Sequence, residues 1–153
     1  MTSRTGLLLA LLVLAILGIA DAWYLTLSAF EGAALVCDIG AALDGCNIVA
    51  QSPYSKLFGL PLALYGVVFY GIVFALVAVL FVATRHPLYQ AAVALGVLGL
   101  IASLVFLFIQ FALIKAICIY CIFSAVIATL TCLISLRLWA KHAPGRTAAP
   151  VVS

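Results

Sequence analysis

Charge is nearly missing from this chain. Seven basic and four acidic residues are spread over 153 positions, 7% of the total against 69% hydrophobic residues. A folded domain of this composition would have almost nothing polar to turn toward water, which excludes a soluble globular protein and leaves a membrane protein. The unbroken apolar-polar alternation of a transmembrane β-barrel is absent too, so helices, which satisfy their own backbone in lipid, are expected. No internal repeat can be defended. The net charge of +3 reports topology and gives no sign of nucleic-acid binding.

What is present is a set of long apolar runs. A hydrocarbon core of roughly 30 Å takes about 20 helical residues at about 1.5 Å each. Four runs of that length occur, at residues 6–29 (interrupted by Asp21), 57–83, 88–114 and 116–136. The last two would be too long for one crossing if joined, and the polar marks at Gln110 and Lys115 read as a tight hairpin at one membrane face. Arg4, the apolar stretch after it and the triplet Ala20-Asp21-Ala22 imitate a cleavable secretory signal. Hydrophobicity resumes through Trp23, Tyr24 and Phe30, however, so the segment reads as a retained first span with an interfacial aromatic belt.

The basic residues set the orientation. Arg4, Arg85, Arg137, Lys141 and Arg146 fall on one side of a four-span arrangement, and Lys56 and Lys115 on the other. By the positive-inside rule both termini are cytoplasmic in a multi-pass protein of the plasma or inner membrane. The expected fold is therefore an all-α polytopic four-helix bundle over residues 1–142, followed by a tail, 143–153, that is assigned no structure. Residues 30–56, between spans one and two, are too long for an ordinary connection and too apolar for disorder, so they are expected to form a partly helical extracytoplasmic cap.

Chemistry is concentrated in five cysteines. This topology places Cys37 and Cys46 in the cap and the motif "CIYC", Cys118 to Cys121, at the start of span four, all on the extracytoplasmic side. Spacing of three on a helix brings two thiols to one face about 5 to 6 Å apart, a separation compatible with a disulfide. At a helix N-terminus, with Lys115 nearby, a lowered Cys118 pKa is expected. Static disulfides would explain the cap pair. They explain the helix pair badly, because a bond between residues 118 and 121 closes a trivial loop. A redox role is favoured over static bonds, and both over a Cys₄ zinc site, whose knuckles are shorter than the spacing of Cys37 and Cys46; no metal is expected. Cys132, about 16 Å deeper by helical rise, reads as a small buried hydrophobe. Two dithiol pairs at a membrane edge make chemical sense as a relay between aqueous protein thiols and a lipid-soluble carrier.

The order of motifs resembles the vitamin K epoxide reductase family in its bacterial or archaeal form. It is carried by "CDIG" at 37–40, a second cysteine at Cys46, Ser52 six positions on, "GLPLALYGVVFY" in span two and "CIYC" opening span four, and it covers about residues 6–138. The resemblance implies a four-helix bundle around a quinone. Cys37 would exchange with a thioredoxin-like, DsbA-like partner, Cys46 would pass electrons to Cys118, and Cys121 would face a ubiquinone or menaquinone. Such a relay supports disulfide formation in exported proteins. The positions that bear quinone-binding asparagine and tyrosine in the animal enzymes match Leu62 and Ala125 here, whose side chains form no hydrogen bond, and this argues against epoxide reduction. Ser52, Tyr65 and Gln110 are candidate polar contacts, with plainer readings as a helix cap, an interfacial aromatic and a hairpin residue, and Tyr54 and Phe58 are candidate walls of the pocket. The alternatives are a convergent DsbB-type oxidase, less well matched because CIYC opens the last span, and a non-catalytic scaffold or transporter subunit with structural disulfides. The lack of a charged or broken midplane helix argues against transport.

Overall fold

The computed structural model describes residues 3–36 and 45–142. Cys37, Asp38 and Asp44 lie outside the described residues, as does the expected tail at 143–153.

Among the described residues four helices are long and apolar enough to cross a membrane, and the chain is an all-α multi-pass bundle. Helix α1, Arg4–Glu31, starts at Ser3, whose Oγ accepts from the Gly6 N–H at 3.2 Å, and stops at Gly32 in the left-handed region (φ 64°). Both ends follow ordinary capping chemistry. A short helix α2, Cys46–Gln51, and a single 3₁₀ turn, Pro53–Ser55, form the described part of the cap. Helix α3, Leu62–Val82, is followed after only three residues by α4, His86–Phe108. Helix α4 ends in a π-helical turn, Ile109–Ile114, and α5 runs over Ile119–His142.

The second span begins at Leu62, not at residue 57. Strands β1, Lys56–Leu57, and β2, Leu60–Pro61, pair antiparallel around Phe58 (φ 51°) and Gly59 (φ 82°). Two consecutive positive φ values are what a two-residue hairpin turn requires. Leu57, Phe58 and Leu60 extend the hydropathy of the run, but the Phe-Gly turn and Pro61 take them out of the helix. The fourth span runs six residues beyond its expected end, to His142.

Helix α1 packs against α3 and α5, and α4 packs chiefly against α5. Small residues allow the close approaches. A Cβ at Gly18 would stand 2.6 Å from the Tyr70 ring, and one at Gly96 would stand 2.9 Å from the Cys132 Cα. Such small-residue contacts let helices associate in lipid, where burial from water drives nothing. The main core lies at the Arg4 end, built from Leu7, Leu8, Leu11, Val77, Leu80, Tyr89 and Leu138. There Arg4 donates from Nε to the Tyr89 hydroxyl at 2.9 Å and from Nη2 to the Leu80 carbonyl, tying three helices together. Outward-facing residues such as Val13, Val68, Ile101, Leu104 and Phe108 are exposed, as lipid contact demands. The opposite end is packed differently, and it holds the thiols.

Candidate functional site

Cys118 stands at the N-cap of α5. Its carbonyl accepts the first helical bond, from Ile122 N–H at 3.1 Å, and its sulfur lies where the backbone N–H groups of Tyr120 and Cys121 can donate to it. Serine does the same at an N-cap through its hydroxyl. A thiolate does it with a full charge. The Cys121 thiol also hydrogen-bonds to Cys118, and this interaction, followed by the two backbone donors, holds the Cys118 thiol below its ordinary range against the opposing effects of burial and of Asp21. The direction is the expected one: the backbone donors of the helix N-terminus contribute as expected, the Cys121 hydrogen bond comes ahead of them, and Lys115 is an exposed residue in the left-handed region (φ 56°).

Gln110 sets this terminus. The π-helical turn carries its side chain inward, where it is 3% exposed, and Oε1 accepts the Cys118 N–H at 3.0 Å. The same side chain reaches the Cys121 thiol. One orphan donor of α5 is thereby satisfied, and the widened turn, a feature frequent at functional sites, is what brings Gln110 under the motif.

The cap is pressed onto the same place. A Cβ at Gly45 would stand 2.5 Å from Ile117 N and 2.6 Å from Ile117 O, so only glycine lets α2 start directly against the residue before Cys118. Cys46, the next residue, is fully buried and joins Leu35 and Cys118 in one cluster. The segment leading to Cys37 is clamped twice. The Asn47 amide accepts from Leu35 N–H at 2.8 Å and donates to Leu35 O at 3.2 Å, while the Tyr120 hydroxyl donates to Val36 O at 2.8 Å and its ring lies 5.2 Å from that of Tyr24.

Cys46 is disulfide-bonded, whereas Cys118, Cys121 and Cys132 are free thiols. Cys132 is buried where Gly96 passes and does not line the cavity described next. Among the described residues no cluster of metal-ligating side chains occurs.

Beneath the cap lies a cavity of about 870 Å³, bounded by α1, α2, α3, the end of α4 and the first turns of α5. Its size falls within the range of ligand pockets, and its walls are apolar with a few converging polar groups, which suits a flat, lipid-soluble ring. Cys46, Cys118 and Cys121 all reach it. Of the residues proposed from sequence, Ser52, Tyr54, Leu62, Tyr65 and Gln110 line it. Ser52 donates to Val49 O at 2.7 Å as it ends α2, and Tyr65 donates to Leu57 O at 3.0 Å, bracing the hairpin. Phe58 and Ala125 do not line it. Phe58 is 92% exposed because the turn points it away from the bundle, and Ala125 is buried on another face of α5. Sequence reasoning missed Asn47, Tyr70, Ser124 and Asp21 as lining residues. Tyr70 donates to Ser124 O at 3.2 Å across the bundle. The small residues Ala15, Gly18 and Ala22, spaced for one helix face, mark the buried side of α1 to which Asp21 belongs.

A membrane bundle with a dithiol in the wall of an apolar cavity, and a disulfide-bonded cysteine beside it, defines a membrane redox protein acting on thiols. The family model for the vitamin K epoxide reductase family matches residues 9–136, and the chain belongs to that family. It is accordingly an oxidoreductase of the membrane, of a family that uses quinone-type electron carriers. No curated protein matches the chain.

Proposed function

We propose that the protein reoxidises a thioredoxin-like, DsbA-like dithiol partner outside the cytoplasm and delivers the electrons to a quinone, so sustaining disulfide formation in exported proteins. The observation that carries this reading is the N-cap thiol of Cys118, hydrogen-bonded to Cys121 in the cavity wall and buried in one cluster with Cys46. The partner's dithiol reduces the Cys37–Cys46 disulfide by exchange. Cys46 thiolate then attacks Cys118 of the Cys118–Cys121 disulfide, and the cap disulfide re-forms as Cys37 displaces Cys118 from Cys46. Each exchange breaks one S–S bond and makes one, so two electrons move inward without loss.

The quinone, when bound in the cavity, supplies the two-electron acceptor. Gln110 holds the helix terminus in register, Cys121 faces the acceptor, and the cap with Tyr54 and Ser52 covers the cavity. Leu62 lines the cavity with an apolar side chain and Ala125 does not reach it, which supports quinone reduction over epoxide reduction. The test is quinone reduction by purified protein given a reduced thioredoxin-like protein and a short-chain ubiquinone or menaquinone analogue. Cys118→Ser and Cys121→Ser are expected to abolish it and Cys132→Ser to retain most of it. Quinone reduction that survives Cys118→Ser would contradict the reading.

A further inference from the structure

One buried ionisable group plays no part in this relay. Asp21 is 8% exposed in the cap-side half of the apolar helix α1, and its Oδ2 has no hydrogen-bond partner among the described residues. An isolated carboxylate in such a place is costly, and ionisable residues kept inside membrane segments generally mark ion or proton pathways.

Its surroundings indicate the use. Asp21 lines the same cavity as Cys118, Cys121, Tyr70 and Ser124. The other ionisable groups of the cavity wall are Tyr70 and Tyr65 from α3, Cys118 and Cys121 at the head of α5, and Cys46, Tyr54 and exposed Lys56 from the cap. Tyr70 does not neutralise it, because that hydroxyl is engaged with Ser124. Oxidation of a dithiol by a quinone releases two protons at sulfur and needs two at oxygen, and a carboxyl in the wall of the same cavity is placed to hold a proton between the two.

We propose that Asp21 is the proton-carrying group of the cavity: its carboxyl takes a proton released as the Cys118–Cys121 dithiol is oxidised and returns a proton to a carbonyl oxygen of the quinone reduced there. Overall two S–H bonds break, one S–S bond and two O–H bonds form, two electrons pass from sulfur to the quinone, and Asp21 ends as it began. This inference rests on the thiol-to-quinone reading above.

The experiment uses purified full-length protein with dithiothreitol as donor and a short-chain ubiquinone analogue as acceptor, and Cys118→Ser as the blank. Asp21→Asn is expected to lower turnover about 10²-fold, the lower end of general acid-base contributions, and Asp21→Glu to recover most of it. A second readout needs no quinone. The infrared difference spectrum between dithiol and disulfide states should contain a carboxyl C=O band that shifts in Asp21→Glu, because proton occupancy at this residue follows the thiols; the wild-type band does not depend on Asp21→Asn folding. An active wild type matched by Asp21→Asn, or a difference spectrum with no carboxyl band that shifts in Asp21→Glu, overturns the assignment. A wild type that reduces no quinone overturns the thiol-to-quinone reading itself, and this inference with it.

Discussion

The Tyr120 hydroxyl donates to the Val36 carbonyl at 2.8 Å, joining the residue that precedes Cys37 to the side chain between Cys118 and Cys121. The cap is thus latched to the head of α5. Tyr120→Phe removes one exposed hydrogen bond, worth about 0.5–1.5 kcal/mol, and leaves the ring contact with Tyr24. Amide hydrogen exchange at Leu35 and Val36 is expected to rise several-fold, with exchange in α1 unchanged. No change at these amides would show that the Asn47 clamp alone holds the segment.

Gln110→Leu strands the buried Cys118 N–H. Leaving such a donor without an acceptor costs about 1–3 kcal/mol, so thermal unfolding in detergent should fall measurably. Gln110→Glu, which keeps an acceptor at Oε1, should lose less. Equal losses in the two variants would show that shape rather than the hydrogen bond matters at this position.

Reactivity at Cys118 should depend on its neighbour. Because the Cys121 hydrogen bond leads the causes that hold Cys118 below the ordinary thiol range, the thiolate persists as pH falls to values where a free thiol is already protonated. In Cys121→Ala that support is lost, so the pH profile for alkylation of Cys118 by a small membrane-permeant reagent should move upward, toward the ordinary value. A profile unchanged in Cys121→Ala would assign the effect to the helix N-terminus.

The proposal that the cap lies outside the cytoplasm rests on the basic residues alone. A membrane-impermeant maleimide applied to intact, reduced cells is expected to label Cys37, Cys46 being fully buried. Labelling only after the membrane is opened would invert the topology.

The spans were legible because hydropathy and length act over twenty residues at once, and a misplaced boundary such as residue 57 for Leu62 changes little in the sum. The Phe58–Gly59 turn escaped notice since a phenylalanine at positive φ gives no warning in an apolar run. The cysteines stood out by spacing, which is chemical information. Gln110 was visible as a polar mark, but its reach to the Cys118 N–H depends on a π-helical turn that no periodicity announces. Lys115 and Cys121 are both near Cys118 in sequence, and only the fold brings the Cys121 thiol into a hydrogen bond with it. Asp21 read as a flaw in a span, because whether an acid faces lipid or a cavity is decided by helices far away in sequence.

The contact that matters most is between Cys46 and Cys118, buried in one cluster, and one measurement addresses it. In Cys121→Ser, the Cys118 thiolate can still attack the cap disulfide at Cys46, which forms a Cys46–Cys118 bond and frees Cys37; the route through Cys121 is gone, so only return of Cys37 to Cys46 undoes that bond, and alkylation of the freed Cys37 traps it. Non-reducing digestion and mass spectrometry of the oxidised variant should find the Cys46 peptide joined to the Cys118 peptide. A Cys37–Cys118 link in its place would reverse the two shuttle roles. No link to Cys118, with the cap disulfide intact in the presence of a reduced thioredoxin-like protein, would make the cap pair structural and contradict the relay.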